Sequence, residues 1–420
     1  MLNPHAIGRL RHHVRWASAF VTLLGALSAC AGQPSVSSSS EARATPPPAT
    51  RAPTTTPATT PPAIAATYAL EVTPQPPQES RTAAPVTSSP AADVPIDTAV
   101  TVPPGYRAEI YAQGLAQPTA LTFGPDGRLY VAQLSGEIVT VDGPGAVAQV
   151  YIHGLERPLG LVWRGTDLYV MSQGTLSIFP NSGAAPGKRR DLLIGIPTAG
   201  MQNNNIVLGR DDWLYVGIGS LCDHCRPDNP ISGQIRRIKP DGSSWQTYAT
   251  GLRNAFGLTV APDGTLWATD NGREDLPTGL PPEELNQIVA GGDYGWPRCY
   301  GNRVPDPQGG GTAGNCAATL APVASFPAHT SPVGLVFYTG GAFAPEDNGA
   351  LFVGLAGAWD RLPEHGRRIV RVYLRDRAPT ETSDWSTGWG RPIGLINAPN
   401  GTLLVADLDR GTITRIVWAQ

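Results

Sequence analysis

The stretch Ala120–Asp142, ALTFGPDGRLYVAQLSGEIVTVD, decides the fold, because the rest of the chain repeats it. Leu121 and Phe123 flank Thr122, the period-two alternation of a half-buried strand. Pro125-Asp126-Gly127 makes the turn: Pro presets φ, Asp tolerates the bend, and Gly takes the left-handed position. Leu129-Tyr130-Val131 returns as a second strand, and Ile138 to Val141 forms a third. One such meander cannot bury its apolar face alone, so copies must pack on one another.

Five further copies follow. GLVWRGTDLYV starts at Gly160, IVLGRDDWLYVGIGS at Ile206 and GLTVAPDGTLWATDNG at Gly257. GLVFYTGGAFAPEDNGALFVGLAG from Gly334 has a longer turn, and GLINAPNGTLLVADLDRGTITRIVW starts at Gly394. A multi-stranded repeat of roughly 40–60 residues is the signature of a propeller blade, and six copies predict an all-β, six-bladed β-propeller. The strand around Tyr106–Tyr111 precedes the first full unit; it is expected to complete the last blade, so that no sheet edge stays open.

The composition agrees. Charged residues make up 15% of the 420, with 48 Gly and 42 Pro, as a turn-rich β protein with an unstructured segment would have. A net charge of −3 argues against a nucleic-acid partner. Arg9, Arg11 and Arg15 precede an apolar run from Ala17 to Ala29, too short to span a bilayer, that ends Leu27-Ser28-Ala29-Cys30. Residues 1–29 therefore read as a lipoprotein signal peptide and Cys30 as a lipidated, membrane-anchoring first residue; an ordinary secretory signal is the alternative. Residues 30–98 are Pro-, Ser-, Thr- and Ala-rich and cannot bury enough surface to order themselves, so they read as a tether to a propeller at 99–420. An exported location also suits the four remaining cysteines, with Cys222–Cys225 and Cys299–Cys316 the expected local pairings and a four-cysteine zinc site the alternative.

In a propeller the residues just before each innermost strand surround one mouth of the central channel. Four positions before Leu121, Leu161, Ile206, Leu258, Leu335 and Leu395 stand Gln117, Arg157, Gln202, Asn254, Ser331 and Arg391. All six are polar, and with Arg253 three arginines reach this mouth, which suits a ligand bearing carboxylates; capping of strand ends is the alternative role. The longest insertion, Asn271–Pro297, is acidic. Its carboxylates, with backbone carbonyls, suit Ca²⁺ or else form a solvated loop.

GLRNAFGLTVAPDGTLWATDNG, EELNQIVAGGDYGWP and GRPIGL resemble the pyrroloquinoline-quinone (PQQ)-dependent soluble sugar dehydrogenases, the glucose, aldose and sorbosone dehydrogenase-like propellers. The resemblance spans about Pro104 to Val417. It implies a quinoprotein that oxidises an aldose or related alcohol by hydride transfer to PQQ with Ca²⁺, passing electrons to an acceptor that the sequence does not identify. It implies contacts to the quinone from Arg253 and Asn254, with Arg391 on a cofactor carboxylate; Gln202 and Arg157, from the polar column at the same mouth, are expected to bind the cofactor beside them. Gly272 matches the residue whose backbone helps hold the catalytic Ca²⁺, with Arg273 in place of the usual Pro. Glu284 and Tyr294 match positions of a second, structural Ca²⁺. The family's general base, a His, is matched by Met201, whose thioether has no useful basicity. His329 is then the one His placed at the same mouth, as a relocated base or as a packing residue. Loss of the base also leaves open a catalytically impaired propeller that binds carbohydrate or protein. A metal-dependent lactonase is a more distant alternative, for which only Glu156 offers a carboxylate in the matching column.

Overall fold

The computed structural model describes residues 94–197, 203–225, 229–277, 279–359 and 365–419. The signal peptide, Cys30 and nearly all of the tether lie outside the described residues, as do Met201 and Gln202. The described chain forms six antiparallel four-stranded sheets arranged as a six-bladed propeller. Blade three carries one extra short strand, Gly292–Asp293, in parallel at its edge. The innermost strands are Pro118–Phe123, Gly160–Arg164, Asn203–Leu208, Ala255–Val260, Pro332–Phe337 and Pro392–Asn397.

The ring closes as expected. Tyr106–Ala112 pairs antiparallel with Thr412–Trp418 and becomes the outermost strand of blade six. Both ends of the domain therefore hydrogen-bond within one sheet, and opening the ring means breaking that ladder.

The second strand of each blade is the buried one. Leu129–Gln133, Leu214–Ile218, Leu266–Asp270, Leu351–Leu355 and Leu403–Asp407 are buried at every position. Their apolar side chains fill the seams between blades, as where Tyr130, Leu168 and Trp163 meet between blades one and two. Each fully buried Leu or Val contributes roughly 1.5–3 kcal/mol. Turn and strand are tied by the same residues that mark the repeat: Tyr130 Oη donates to Asp126 at 2.8 Å, and Tyr215 Oη to Asp211 at 2.7 Å. The aromatic strand residue thus fixes the acidic turn.

The glycine that opens most units has a packing reason. A Cβ on Gly257 would stand 2.7 Å from the Val333 carbonyl oxygen, and one on Gly394 would stand 3.0 Å from that of Thr119. Each glycine lets the next blade's innermost strand approach the hub.

One expectation needs correcting. Asn271–Pro297 is not a single inserted loop, because Glu283–Ile288 is the third strand of blade four, paired with Leu266–Asp270. Two adjacent glutamates disguise it; Leu285 between the strands' partners faces the core and both carboxylates are buried. The true excursion runs from 289 to 323. It holds a small ribbon, Cys299–Tyr300 against Val304–Pro305, and a one-turn helix, Ala313–Ala317, capped by Thr312. A disulfide, Cys299–Cys316, closes it, and Cys222–Cys225 forms the second disulfide, both as expected.

Candidate active site at the hub

The innermost strands enclose a channel cavity of about 230 Å³ lined by Leu121, Leu161, Ile206, Phe256, Val333 and Ile393 among others. Thr119, Thr122 and Asn205 line it as well, so its wall is mixed, and the charged groups lie in the loops at its mouth. The polar column there is built by a repeated device: the last residue of a second strand caps the backbone that enters the inner strand. Gln133 Oε1 accepts from Ala116 N–H at 2.6 Å. Asp270 accepts from Arg253 N–H at 2.9 Å and Asn254 N–H at 2.6 Å. Asp407 accepts from Gly390 N–H at 2.7 Å and Arg391 N–H at 3.0 Å. The sequence shows this as an acid ending WATD and LLVAD, a signal that the reading of the column passed over.

The structure gathers Arg253, Asn254, Gly272, Arg273 and His329 between blades four and five. Two carboxylates hold them: Asp270, already described, and Glu283. Glu283 accepts the Gly272 N–H at 2.7 Å and also the Ser331 N–H, so it joins the Gly272 loop to the loop that carries His329. Burial pushes Glu283 up to about 8, against those two N–H bonds and with help from the nearby Glu274 charge.

Arg253 is 2% exposed. Its Nη2 donates to Asp223 at 2.5 Å, Nε to the Asp223 carbonyl at 3.1 Å, and Nη1 to the Asn271 carbonyl at 2.9 Å. Asp223 also accepts from the backbone N–H groups of Glu274 and Asp275. It lies between Cys222 and Cys225, where sequence reading gave it no role.

Arg391 belongs to the seam of blades five and six. Its guanidinium lies 4.3 Å from the Trp359 ring centre, donates to Asp409 at 3.1 Å, and has a buried Nε without a partner. Arg157 is exposed at the entry to blade two, in the left-handed region with φ 42°.

The residues expected at metal positions divide. Arg273 is buried with its guanidinium on Asp275 and Asp306, so only its backbone carbonyl is free to meet a cation. The Tyr294 hydroxyl donates to the Gln287 carbonyl at 2.6 Å and accepts from Val289 N–H at 3.1 Å, which likewise leaves its backbone. Glu284 faces Asp270 directly across the strands. Burial pushes both up, Glu284 further through the Asp270 charge. They border a cavity of about 20 Å³ with Tyr294, Tyr300 and Asp306. Two like charges buried together need a proton or a cation, the donor atoms are hard oxygens, and the cavity has the size of one small occupant. The oxygens suit Ca²⁺, while Arg253 and Arg273 line the same cavity and Arg253 already brings positive charge to Asp270. Asp223, His224 and Asp275 also bring ligand atoms within 4.8 Å of one another, but Arg253 and Arg273 already neutralise both carboxylates.

The glucose/sorbosone dehydrogenase profile matches residues 196–415, just over half the chain. The chain belongs to the glucose/sorbosone dehydrogenase family. Quinoprotein glucose dehydrogenase B of Acinetobacter calcoaceticus is 24% identical over 257 residues, 46% of this chain and about half (52%) of that relative. The holo PQQ domain of pyranose dehydrogenase from Coprinopsis cinerea superposes with a TM-score of 0.65 at 21% identity, covering 76% of this chain and 97% of that one. PQQ-bound aldose sugar dehydrogenase from Streptomyces coelicolor gives 0.58 at 22% identity, covering 76% and 99%. These likenesses establish the sugar-dehydrogenase propeller as this family member's fold.

Proposed function

We propose that this chain is a PQQ-dependent dehydrogenase that oxidises an aldose or related alcohol with Ca²⁺, on the outer face of a membrane to which lipidated Cys30 anchors it. The carrying observation is the convergence of Asn254, Gly272 and the His329 loop on Asp270 and Glu283 at one mouth of the channel. The residues fit the cofactor: Arg391 Nε, Asn271 Oδ1 and His329 Nε2 are buried polar atoms without partners among the described residues, and buried polar groups are normally paired. Arg391 on Trp359 offers a stacked cation for a carboxylate. Asn254, Arg253, Arg157 and Gln202 would hold the remaining polar edge, and the carbonyls of Gly272 and Arg273 would meet Ca²⁺.

When bound, the quinone supplies a hydride-accepting carbonyl that Ca²⁺ polarises. The chain's part is to hold the sugar's carbinol against that carbonyl and accept its hydroxyl proton.

A specific observation favours a second reading, the impaired propeller acting as a binding module. Arg253 directs three donors to Asp223 and Asn271 rather than to a ligand. Titration of the full chain with PQQ and CaCl₂, followed by absorbance and then by bleaching on adding sugar, separates the two. Binding with bleaching supports the dehydrogenase; binding without it supports an impaired propeller; no binding removes the dehydrogenase reading and leaves the carbohydrate- or protein-binding module in its place. Met201→His should raise dye-linked turnover only where a base is lacking. Membrane partitioning lost in Cys30→Ser tests the anchor.

A further inference from the structure

His329 is 7% exposed and sits in the loop that enters blade five. Its backbone is left-handed, φ 62°, a conformation uncommon for a non-glycine residue and found where the surroundings impose it. Those surroundings are visible. Thr330 Oγ1 donates to the Pro327 carbonyl at 2.8 Å, Gly357 N–H to the Thr330 carbonyl at 2.8 Å, and Ser331 N–H to Glu283.

The imidazole is oriented as well as buried. Nδ1 lies 3.2 Å from Glu274 Oε2, so the carboxylate accepts from Nδ1–H and leaves the lone pair on Nε2. Nε2 is buried and has no hydrogen-bond partner among the described residues. Most buried side-chain nitrogens are paired. Here one edge is held by an acid and the other is kept dry and unpaired. Those are features a general base uses: a fixed tautomer, a carboxylate to stabilise the imidazolium, and a nitrogen whose lone pair no described protein group occupies.

Its position is set by the same carboxylate that fixes the metal loop. Glu283 binds the N–H of Gly272 and that of Ser331. Glu274 is two residues beyond Gly272, and His329 two residues before Ser331. Arg253 and Asn254 are held next to them through Asp270 and Asp223.

We propose that His329, positioned by Glu274, is the proton acceptor of this site, replacing the base lost at Met201; the inference rests on the dehydrogenase reading. In the step, the sugar's carbinol O–H bond breaks and its proton goes to Nε2. The carbinol C–H bond breaks at the same carbon, its hydrogen leaving with two electrons to the ortho-quinone oxidant, and the C–O bond becomes C=O. The imidazolium then returns its proton to the reduced quinone or to solvent.

The test uses the full chain with PQQ and CaCl₂, a dye acceptor, and D-glucose, D-xylose and L-sorbosone as probes. His329→Gly suits a left-handed φ and leaves room for free imidazole. Its kcat should fall about 10²–10⁴-fold with cofactor affinity unchanged, and added imidazole should restore part of it. Glu274→Gln should lower kcat about tenfold with KM unchanged, as expected when an orienting charge is lost, and Glu274→Asp should recover part of the loss. Wild-type kcat in His329→Gly overturns the dyad. So does a loss that imidazole does not rescue, or cofactor binding by the wild type without oxidation of any probe. Failure of the wild type to bind PQQ is a different result: it defeats the dehydrogenase reading itself.

Discussion

Asp223 receives the buried Arg253 guanidinium at 2.5 Å from within a four-residue loop closed by the Cys222–Cys225 disulfide. The same carboxylate accepts the N–H groups of Glu274 and Asp275. One side chain in blade three thus holds both the arginine before blade four and the loop after its second strand. Asp223→Asn keeps the shape but removes the charge, and should cost about 1.5–3 kcal/mol, the worth of a hydrogen bond to a charged group. Reducing the disulfide should weaken PQQ binding in the same direction as the substitution. Equal cofactor affinity in wild type, Asp223→Asn and reduced protein would show that Asp223 does not position Arg253 for a ligand.

The glycine at the head of the repeat gives a second prediction. A Cβ on Gly257 would meet Thr269 Oγ1 and the Val333 carbonyl oxygen, each at 2.7 Å. The carbonyl belongs to the next blade's inner strand and cannot turn away. Gly257→Ala should cost about 1–3 kcal/mol by overpacking. Gly143→Ala, whose new methyl meets nothing within 4 Å, should be near neutral. Chemical denaturation of the two variants decides it; equal midpoints would count against close approach at the hub.

Arg273 stands where the sugar dehydrogenases that the sequence resembles carry Pro, and the structure shows what the exchange does. Its guanidinium pairs with the buried Asp306 and with Asp275, which its hydrogen bonds pull down to about 2. Asp306 in turn accepts the N–H groups of Gln308 and Gly309, organising the excursion closed by Cys299–Cys316. Arg273→Met should cost about 3–5 kcal/mol, because Asp306 would be left buried and unpaired. Arg273→Met combined with Asp306→Leu should recover much of that loss. A double-mutant cycle with no coupling between the two positions would refute the pairing.

The repeat was legible because a propeller writes one pattern six times: the turn Asp, the strand aromatic and the opening Gly each recur, and each recurrence has a packing cause. Ring closure by Tyr106–Ala112 followed from the need to cover an edge. What stayed hidden was the support of the site. Glu283 and Glu284 look like a solvated loop because nothing local shows that Asp270, Gly272 and Ser331 will surround them. Asp223 looks like a residue between cysteines until folding brings Arg253 against it. His329 could be named as a candidate, but its partner Glu274 lies 55 residues away, and only the fold joins them.

The buried acids of blade four make stability depend on pH with a definite sign. Glu283 is pushed up to about 8 by burial, Asp270 is raised by burial, and Glu284 is raised by burial and by the Asp270 charge. Well below their ordinary values these groups are protonated in both folded and unfolded chains, and no difference arises. As pH rises, the unfolded chain releases its protons first while the folded chain keeps them. The unfolded state then binds fewer protons than the native one, so stability falls with pH until the native groups also ionise. Without metal, the melting temperature should therefore drop by several degrees between about pH 5 and about pH 8. A divalent cation prefers the ionised carboxylates, so Ca²⁺ should raise the melting temperature more at the upper end of this range than at the lower, and a chelator should reverse the gain. Glu284→Gln removes the repulsion with Asp270 and one oxygen ligand together. It should flatten the pH dependence and shrink the Ca²⁺ response. A melting temperature indifferent to Ca²⁺ at the upper pH, with the slope still present, would assign the pair to a shared proton and leave the corner beside Tyr294 without a metal.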